Sequence, residues 1–401
     1  LAGDLEPARR HWGSVLPLAR SRGDRLAEGD LLLRLGSSRR TAGAYDEARD
    51  LTESALRIFR GLGERAREAL ALLERGLQEL NQDRDMDALA FFTDAVALLR
   101  DRGVPQRASR ATGYLAGILN RLGHTVEARQ LLEATLATAR QMGDVRSEAL
   151  LRGQLAEVCR TEGQLDDVRR HLDEGLDAAR RIGARRMEGM LLGNLAILDK
   201  LEGRFADALI HHHGAIVAHR EVGNRRSEAI VSCNRASLLM ELERLDEAEE
   251  SLDRALALHE LFDSRRYYGN AIGNLGCLRL AQGRLDEAEP HLAEALAIAR
   301  EVGDRRHEGI LYERIAQLHR GRGDLDRATE ALDMADEALS HGSPQERALV
   351  MASRAEIALH RETDEEARAA LARARALVDE REPGAELARR LSALGERLPE
   401  A

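Results

Sequence analysis

The chain has 401 residues, of which 43% are apolar, 32% charged and only 3% aromatic, and its formal net charge at pH 7 is −10. That sign argues against a nucleic-acid or anionic-membrane binder, because phosphate contacts need clustered positive charge, and no run approaches the roughly 18 consecutive apolar residues of a membrane span. Three widely spaced cysteines, Cys159, Cys233 and Cys277, fit free thiols in a reducing, cytoplasmic compartment better than a disulfide framework.

In chain order, the first expected element is a helix over about 4–22, carrying Leu5, Trp12 and Leu16. Residues 1–23 read as the unpaired second helix of a truncated repeat. Repeat arrays normally end on a unit with a polar outer face, so the expectation is that this chain is a piece of a longer protein.

From 24 to 380 the sequence repeats itself every 40 residues. Gly23, Gly63, Gly103, Gly143, Gly183, Gly223 and Gly303 fall on one lattice, with Asp263 and Ser343 at its other nodes. A second lattice runs Gly3, Gly43, Gly123, Gly163, Gly203, Gly283 and Gly323, with Asp83, Glu243 and Thr363 in its gaps. A third holds Ala8, Ala48, Ala88, Ala128, Ala208, Ala248, Ala288 and Ala328, broken by Val168. The spacing is expected to hold through the whole chain without a shift.

One unit shows the grammar. Leu191, Leu192, Leu195 and Leu198 recur at helical spacing over 185–202. Gly203 closes that helix in the left-handed conformation, and a second helix over 205–222 stops at Gly223. Acidic pairs such as Asp246-Glu247 and Asp286-Glu287 open the second helix, at the positive end of its dipole. The recurring alanine marks where two helices approach closely. Nine such pairs are expected. Beyond Pro383, which suits a helix start, the stretch 381–401 reads as a C-terminal capping helix with Leu387, Leu391 and Leu394.

This grammar resembles the tetratricopeptide repeat, in its long bacterial-regulator form. Leu275 and Gly276 match the family's Leu-Gly pair in helix A; Ala288 and Ala295 match the small positions of helix B. The resemblance implies an all-α, right-handed superhelical solenoid of antiparallel helix pairs, whose A helices line a concave face that binds a protein or peptide. The position before the Leu-Gly pair then gives a column of groove residues: Arg34, Glu74, Tyr114, Gln154, Asn194, Asn234, Asn274, Arg314 and Arg354. Amides both donate and accept along an extended backbone, and arginine offers a two-pronged donor for a carboxylate. The alternative is that asparagine here only bridges neighbouring helices.

Other features invite weaker readings. Phe262, Tyr267 and Tyr268 interrupt the regular loop and are candidates for partner contact. The pairs Arg185-Arg186, Arg225-Arg226, Arg265-Arg266 and Arg305-Arg306 read as internally paired to Glu188, Glu228 and Glu308. His211, His212 and His213 point about 100° apart on a helix and do not converge on a metal. No nucleotide loop, nucleophile elbow or zinc pattern appears, so catalytic residues, metal ligands and cofactors are expected to be none. The functional expectation is a protein-binding scaffold in signalling or regulation. The alternative is a sensor segment covalently linked to an effector domain such as a switch ATPase, a kinase or a transcription regulator.

Overall fold

The computed structural model describes residues 6–41, 44–82, 84–101, 105–259, 265–340, 342–378 and 385–398. Among the described residues there are twenty α-helices and no strand. Helix α1 (Glu6–Ser21) precedes the pairs α2 (Arg25–Thr41) with α3 (Tyr45–Leu62), α4 (Arg65–Leu80) with α5 (Asp85–Asp101), and α6 (Pro105–Arg121) with α7 (Thr125–Gln141). There follow α8 (Val145–Thr161) with α9 (Leu165–Arg181), α10 (Arg185–Leu201) with α11 (Phe205–Glu221), and α12 (Arg225–Glu241) with α13 (Leu245–His259). The last pairs are α14 (Arg265–Ala281) with α15 (Leu285–Glu301), α16 (Arg305–Gly321) with α17 (Leu325–Ala338), and α18 (Pro344–His360) with α19 (Asp364–Val378); α20 (Ala385–Arg397) ends the series.

Most helices stop where the glycine lattices stop them. Gly183 and Gly203 adopt φ of 63° and 73°, a conformation that costs glycine little because it has no Cβ. At Glu243 a non-glycine residue takes the same conformation, with φ 60°. Within a pair, the lattice alanines let the helices close up: Ala48, Ala128 and Ala288 are fully buried. Gly276 is equally constrained from the facing side, since a Cβ there would sit 2.8 Å from the side chain of Leu292.

The lattice does slip once. Gly342 precedes Ser343, which caps α18 in a reciprocal capping box with Glu346, with Pro344 in the first turn. Every later position therefore comes one residue early. Glu362, not Thr363, adopts the left-handed conformation, with φ 59°, and Ala367 is the fully buried small residue of the last pair. The capping box, which satisfies two orphan amides at once, overrides the 40-residue spacing.

The chain divides into two compact units. Unit 1 is Leu1–Asp199 with Ile210–Ser227, and unit 2 is Lys200–Leu209 with Glu228–Ala401. Within each, neighbouring helices such as α2 and α3 or α14 and α15 pack against each other, and A helix touches A helix where α6 meets α8 and α14 meets α16.

Candidate functional site

The column on the A helices can be followed residue by residue. In unit 1, Arg34 is exposed and its guanidinium stands 5.9 Å from the Trp12 ring centre, a cation–π distance. Glu74 is buried and held by Arg40 at 2.5 Å. Tyr114 stacks on Phe92 with ring centres 5.5 Å apart. Gln154 lies half-buried against the glycine face of α6, 3.6 Å from where a Cβ of Gly113 or Gly117 would stand. Asn194 is half-buried beside Ala156, Glu157 and Arg160.

In unit 2, Asn234 is exposed and Asn274 half-buried. Among the described residues, the side chains of Gln154, Asn194, Asn234 and Asn274 make no hydrogen bond to the protein. No helix-bridging hydrogen bond by these amides is therefore present among the described residues. They keep their donors and acceptors for water or a ligand.

Arg314 has a different situation. Its two terminal nitrogens donate to Glu386 of α20 at 2.6 and 2.9 Å. From the same face of α20, Arg390 donates to Glu313 at 3.0 Å, to Ser353 at 2.6 Å and to Glu356 at 2.8 Å. Arg389 donates to the Glu241 carbonyl at 2.6 Å. The adjoining face of α20 buries Leu387, Leu391 and Leu394, followed by Leu398, with Leu371 of α19 and small residues of α18 such as Ala352 and Ala355. Thus α20 covers the apolar end of the array and lays a charged face over the A helices of unit 2.

The electrostatics follow from that burial. Desolvation pushes Glu386 up, but Arg314, through charge and hydrogen bonds, together with Arg390 and Arg389, outweighs it and holds the carboxyl at about 2. Glu313 is likewise desolvated, yet Arg314 and Arg390 keep it below the usual carboxylate range. Breaking such a buried pair from one side strands the other charge, which is far more costly than an exposed pair's loss.

Arg354 leaves the column. Because the register has slipped, Ser353 occupies the column position of α18, and Ala355 takes the place of the buried small residue that Ala316 fills in α16. Arg354 turns instead to Asp333 at 2.8 Å and Asp336 at 3.0 Å on α17. Tyr267 stacks on His259, ring centres 6.3 Å apart and parallel within 1°, and Tyr268 packs on the core of its own repeat. Phe262 lies outside the described residues.

In two of the four places the first arginine of the pair closes a clamp on a buried glutamate. Glu188 is buried between Arg180 at 3.1 Å and Arg185 at 2.6 Å; Glu308 lies likewise between Arg300 at 3.1 Å and Arg305 at 2.9 Å. Where Tyr268 replaces the glutamate, Arg265 pairs with Glu301 at 2.8 Å. The three consecutive histidines diverge: His211 Nδ1 meets Asp199 at 2.5 Å, His212 is buried and His213 is exposed. No group of His, Cys, Asp or Glu among the described residues could hold a metal. Burial pushes Cys233 up to about 12 and Cys277 up to about 11, the direction of unreactive thiols. No helix among the described residues is long and apolar enough to cross a membrane.

Sequence reasoning missed Glu386, Arg390 and Glu313. A signal existed for the last: Glu313 stands where other repeats carry Leu73, Gly193, Cys233 or Gly273, and a carboxylate in a column of small or apolar residues calls for a buried cation.

Fold and site together define a helix-pair repeat protein with a polar row on its A helices. The tetratricopeptide repeat family model matches residues 227–301 and 268–340, so that stretch of the chain carries tetratricopeptide repeats. No curated protein matches it. Among solved structures, a Rap protein complexed with Competence and Sporulation Factor is similar with a TM-score of 0.59 at 17% identity, over 91% of this chain and 99% of that one. A signal transduction ATPase with numerous domains and a tetratricopeptide repeat sensor, from Pyrococcus horikoshii, gives 0.55 at 14% identity over 91% of this chain. This chain spans 55% of that protein's length. At these identities the likeness is one of fold.

Proposed function

We propose that the chain is a non-enzymatic scaffold that holds a protein or peptide on the faces of its A helices, in intracellular signalling or regulation. The observation that carries this reading is the seat of Glu386 on Arg314. The chain's own amphipathic helix uses the column arginine as a two-pronged carboxylate receptor, the geometry that makes such pairs specific. The unpaired amides of Gln154, Asn194, Asn234 and Asn274 support it, as does the Rap neighbour, which is solved with a bound factor. In unit 2, α20 is the internal occupant that an external ligand displaces.

The test uses a labelled peptide of residues 385–398 offered to the full chain. Glu386→Ala, which weakens the internal competitor, is expected to bind the peptide at least tenfold more tightly than the unaltered chain. Adding Arg314→Ala is expected to remove that gain. Equal binding by all three chains would remove the reading.

A second reading is favoured by the repeat sensor of the Pyrococcus horikoshii protein, of which this chain matches 55%: the chain is the sensor segment of a longer regulator. Its intact mass from the native source is then expected well above 44.3 kDa; a mass equal to that value would contradict it.

A further inference from the structure

In the first complete repeat, four buried side chains fill the junction between the end of one B helix and the next helix pair. They are Glu28, Leu32, Ile58 and Phe59. Glu28 is clamped there by Arg20 at 3.0 Å and Arg25 at 2.6 Å. Eighty residues on, the same four positions are Ala108, Thr112, Thr138 and Ala139. The carboxylate is gone, and so are a leucine, an isoleucine and a phenylalanine. What is left is an open cleft of about 600 Å³ between α5, α6 and α7.

Two groups in that cleft lack side-chain partners. Arg100 stands where Arg20 clamps Glu28, is exposed, and pairs with no carboxylate among the described residues. Thr112 is fully buried and its hydroxyl has no hydrogen-bond partner there. The remaining walls are Leu99, Ala108, Ser109, Ala134, Ala139, Met142 and the methyl groups of Thr135 and Thr138. Thr135 already donates to the Leu131 carbonyl at 2.7 Å and Thr138 to the Ala134 carbonyl at 3.1 Å, so both offer mainly apolar surface. Asp144, also in the wall, is engaged as the cap of α8 by the amide and hydroxyl of Ser147 at 3.1 and 2.7 Å.

We propose that this cleft in unit 1 binds a small free carboxylic acid with an apolar body. Its carboxylate would take the place of the missing glutamate on Arg100, and its body the place of the missing Leu, Ile and Phe side chains. A single protein side chain would leave most of the space empty, and volumes of a few hundred Å³ are those of small-molecule sites. The acid would stabilise the α5–α7 junction as Glu28 and its neighbours stabilise the first repeat. This site is separate from the polar row on the A helices, so its test does not depend on that row.

Isothermal titration of the full chain with hexanoate tests it, with a glutamate-containing peptide as the comparison. Saturable one-site binding of hexanoate is expected, weakened at least tenfold by Arg100→Gln with the thermal midpoint unmoved. Ala108→Glu is expected to abolish binding and raise the midpoint, because it gives Arg100 an internal carboxylate, although Pro105 stands where Arg25 supplies the second arm. Should that variant fail to fold, Thr112→Leu fills the same space as Leu32 and is also expected to abolish binding. Absence of saturable hexanoate binding, binding indifferent to Arg100→Gln, or binding of the peptide alone would each overturn the proposal.

Discussion

Units 1 and 2 are built from one repeat grammar, yet their A-helix faces end differently. In unit 1 the column residues Tyr114, Gln154 and Asn194 make no ion pair and no side-chain hydrogen bond among the described residues. In unit 2 the column arginine is locked by Glu386, and a buried network of Glu313, Ser353, Glu356 and Arg390 surrounds it. The difference does not come from the lattice, whose alanines and glycines are common to both. It comes from three charged residues on a helix outside the lattice. A repeat array thus sets a uniform scaffold, and departures from the repeat decide where a face is open.

The largest expected effect breaks that comparison from the unit 2 side. Arg390→Ala takes one of two cations from each of Glu313 and Glu356, leaving them Arg314 and Arg320 respectively, and is expected to cost about 3 kcal/mol. Segment-resolved hydrogen exchange should place the loss in α16, α18 and α20 and leave α6 to α9 unchanged.

Acid should loosen each unit through a buried histidine before it reaches the α20 carboxylate. Burial, with Arg170 and Arg152 nearby, lowers His171 in unit 1 to about 4. The unfolded chain therefore binds the proton first, so stability falls as pH drops from about 6.5 to 4, by roughly 3 kcal/mol in all. Glu386 is depressed to about 2. Its contribution is complete above the ordinary carboxylate pKa and is lost only as pH falls towards 2. His307 in unit 2 is lowered by burial as well, so both units should loosen below the ordinary histidine range, and His171→Gln should flatten only the unit 1 part of the slope in a pH series of urea melts.

Overpacking should sharpen the comparison by showing no difference between units. Ala128→Leu in unit 1 and Ala288→Leu in unit 2 remove the same close approach, and each is expected to cost about 1–3 kcal/mol in thermal unfolding.

The smallest effect tests the slip in register. Glu362→Gly relieves a left-handed non-glycine residue and is expected to stabilise by roughly 1 kcal/mol. Thr363→Gly, the substitution the 40-residue lattice would choose, is expected to give no gain.

Much of the fold was legible because its signals are local. Gly203 and Gly223 end helices whatever lies beyond them, and Ala288 must be small because its own partner helix is near. The slip at Ser343 was hidden by the lattice, although Ser343-Pro344 with Glu346 spells a capping box in sequence. The site was legible only as a column of residue types. Asn234 and Asn274 could be placed on it from spacing, but the state of Arg314 depends on a glutamate 72 residues away, and no periodicity carries that information. Arg354 was misplaced for the same reason as Thr363, by one residue of register.

The central claim is that α20 is a displaceable occupant of the unit 2 face, held through Glu386 on Arg314, rather than a permanent part of the core. Amide hydrogen exchange of residues 385–398 in the full chain tests it most directly, with and without saturating 385–398 peptide. The account expects α20 to open well before α16 and α18, and to exchange faster still when the peptide is present. Exchange of α20 only through global unfolding, unchanged by the peptide, would contradict it.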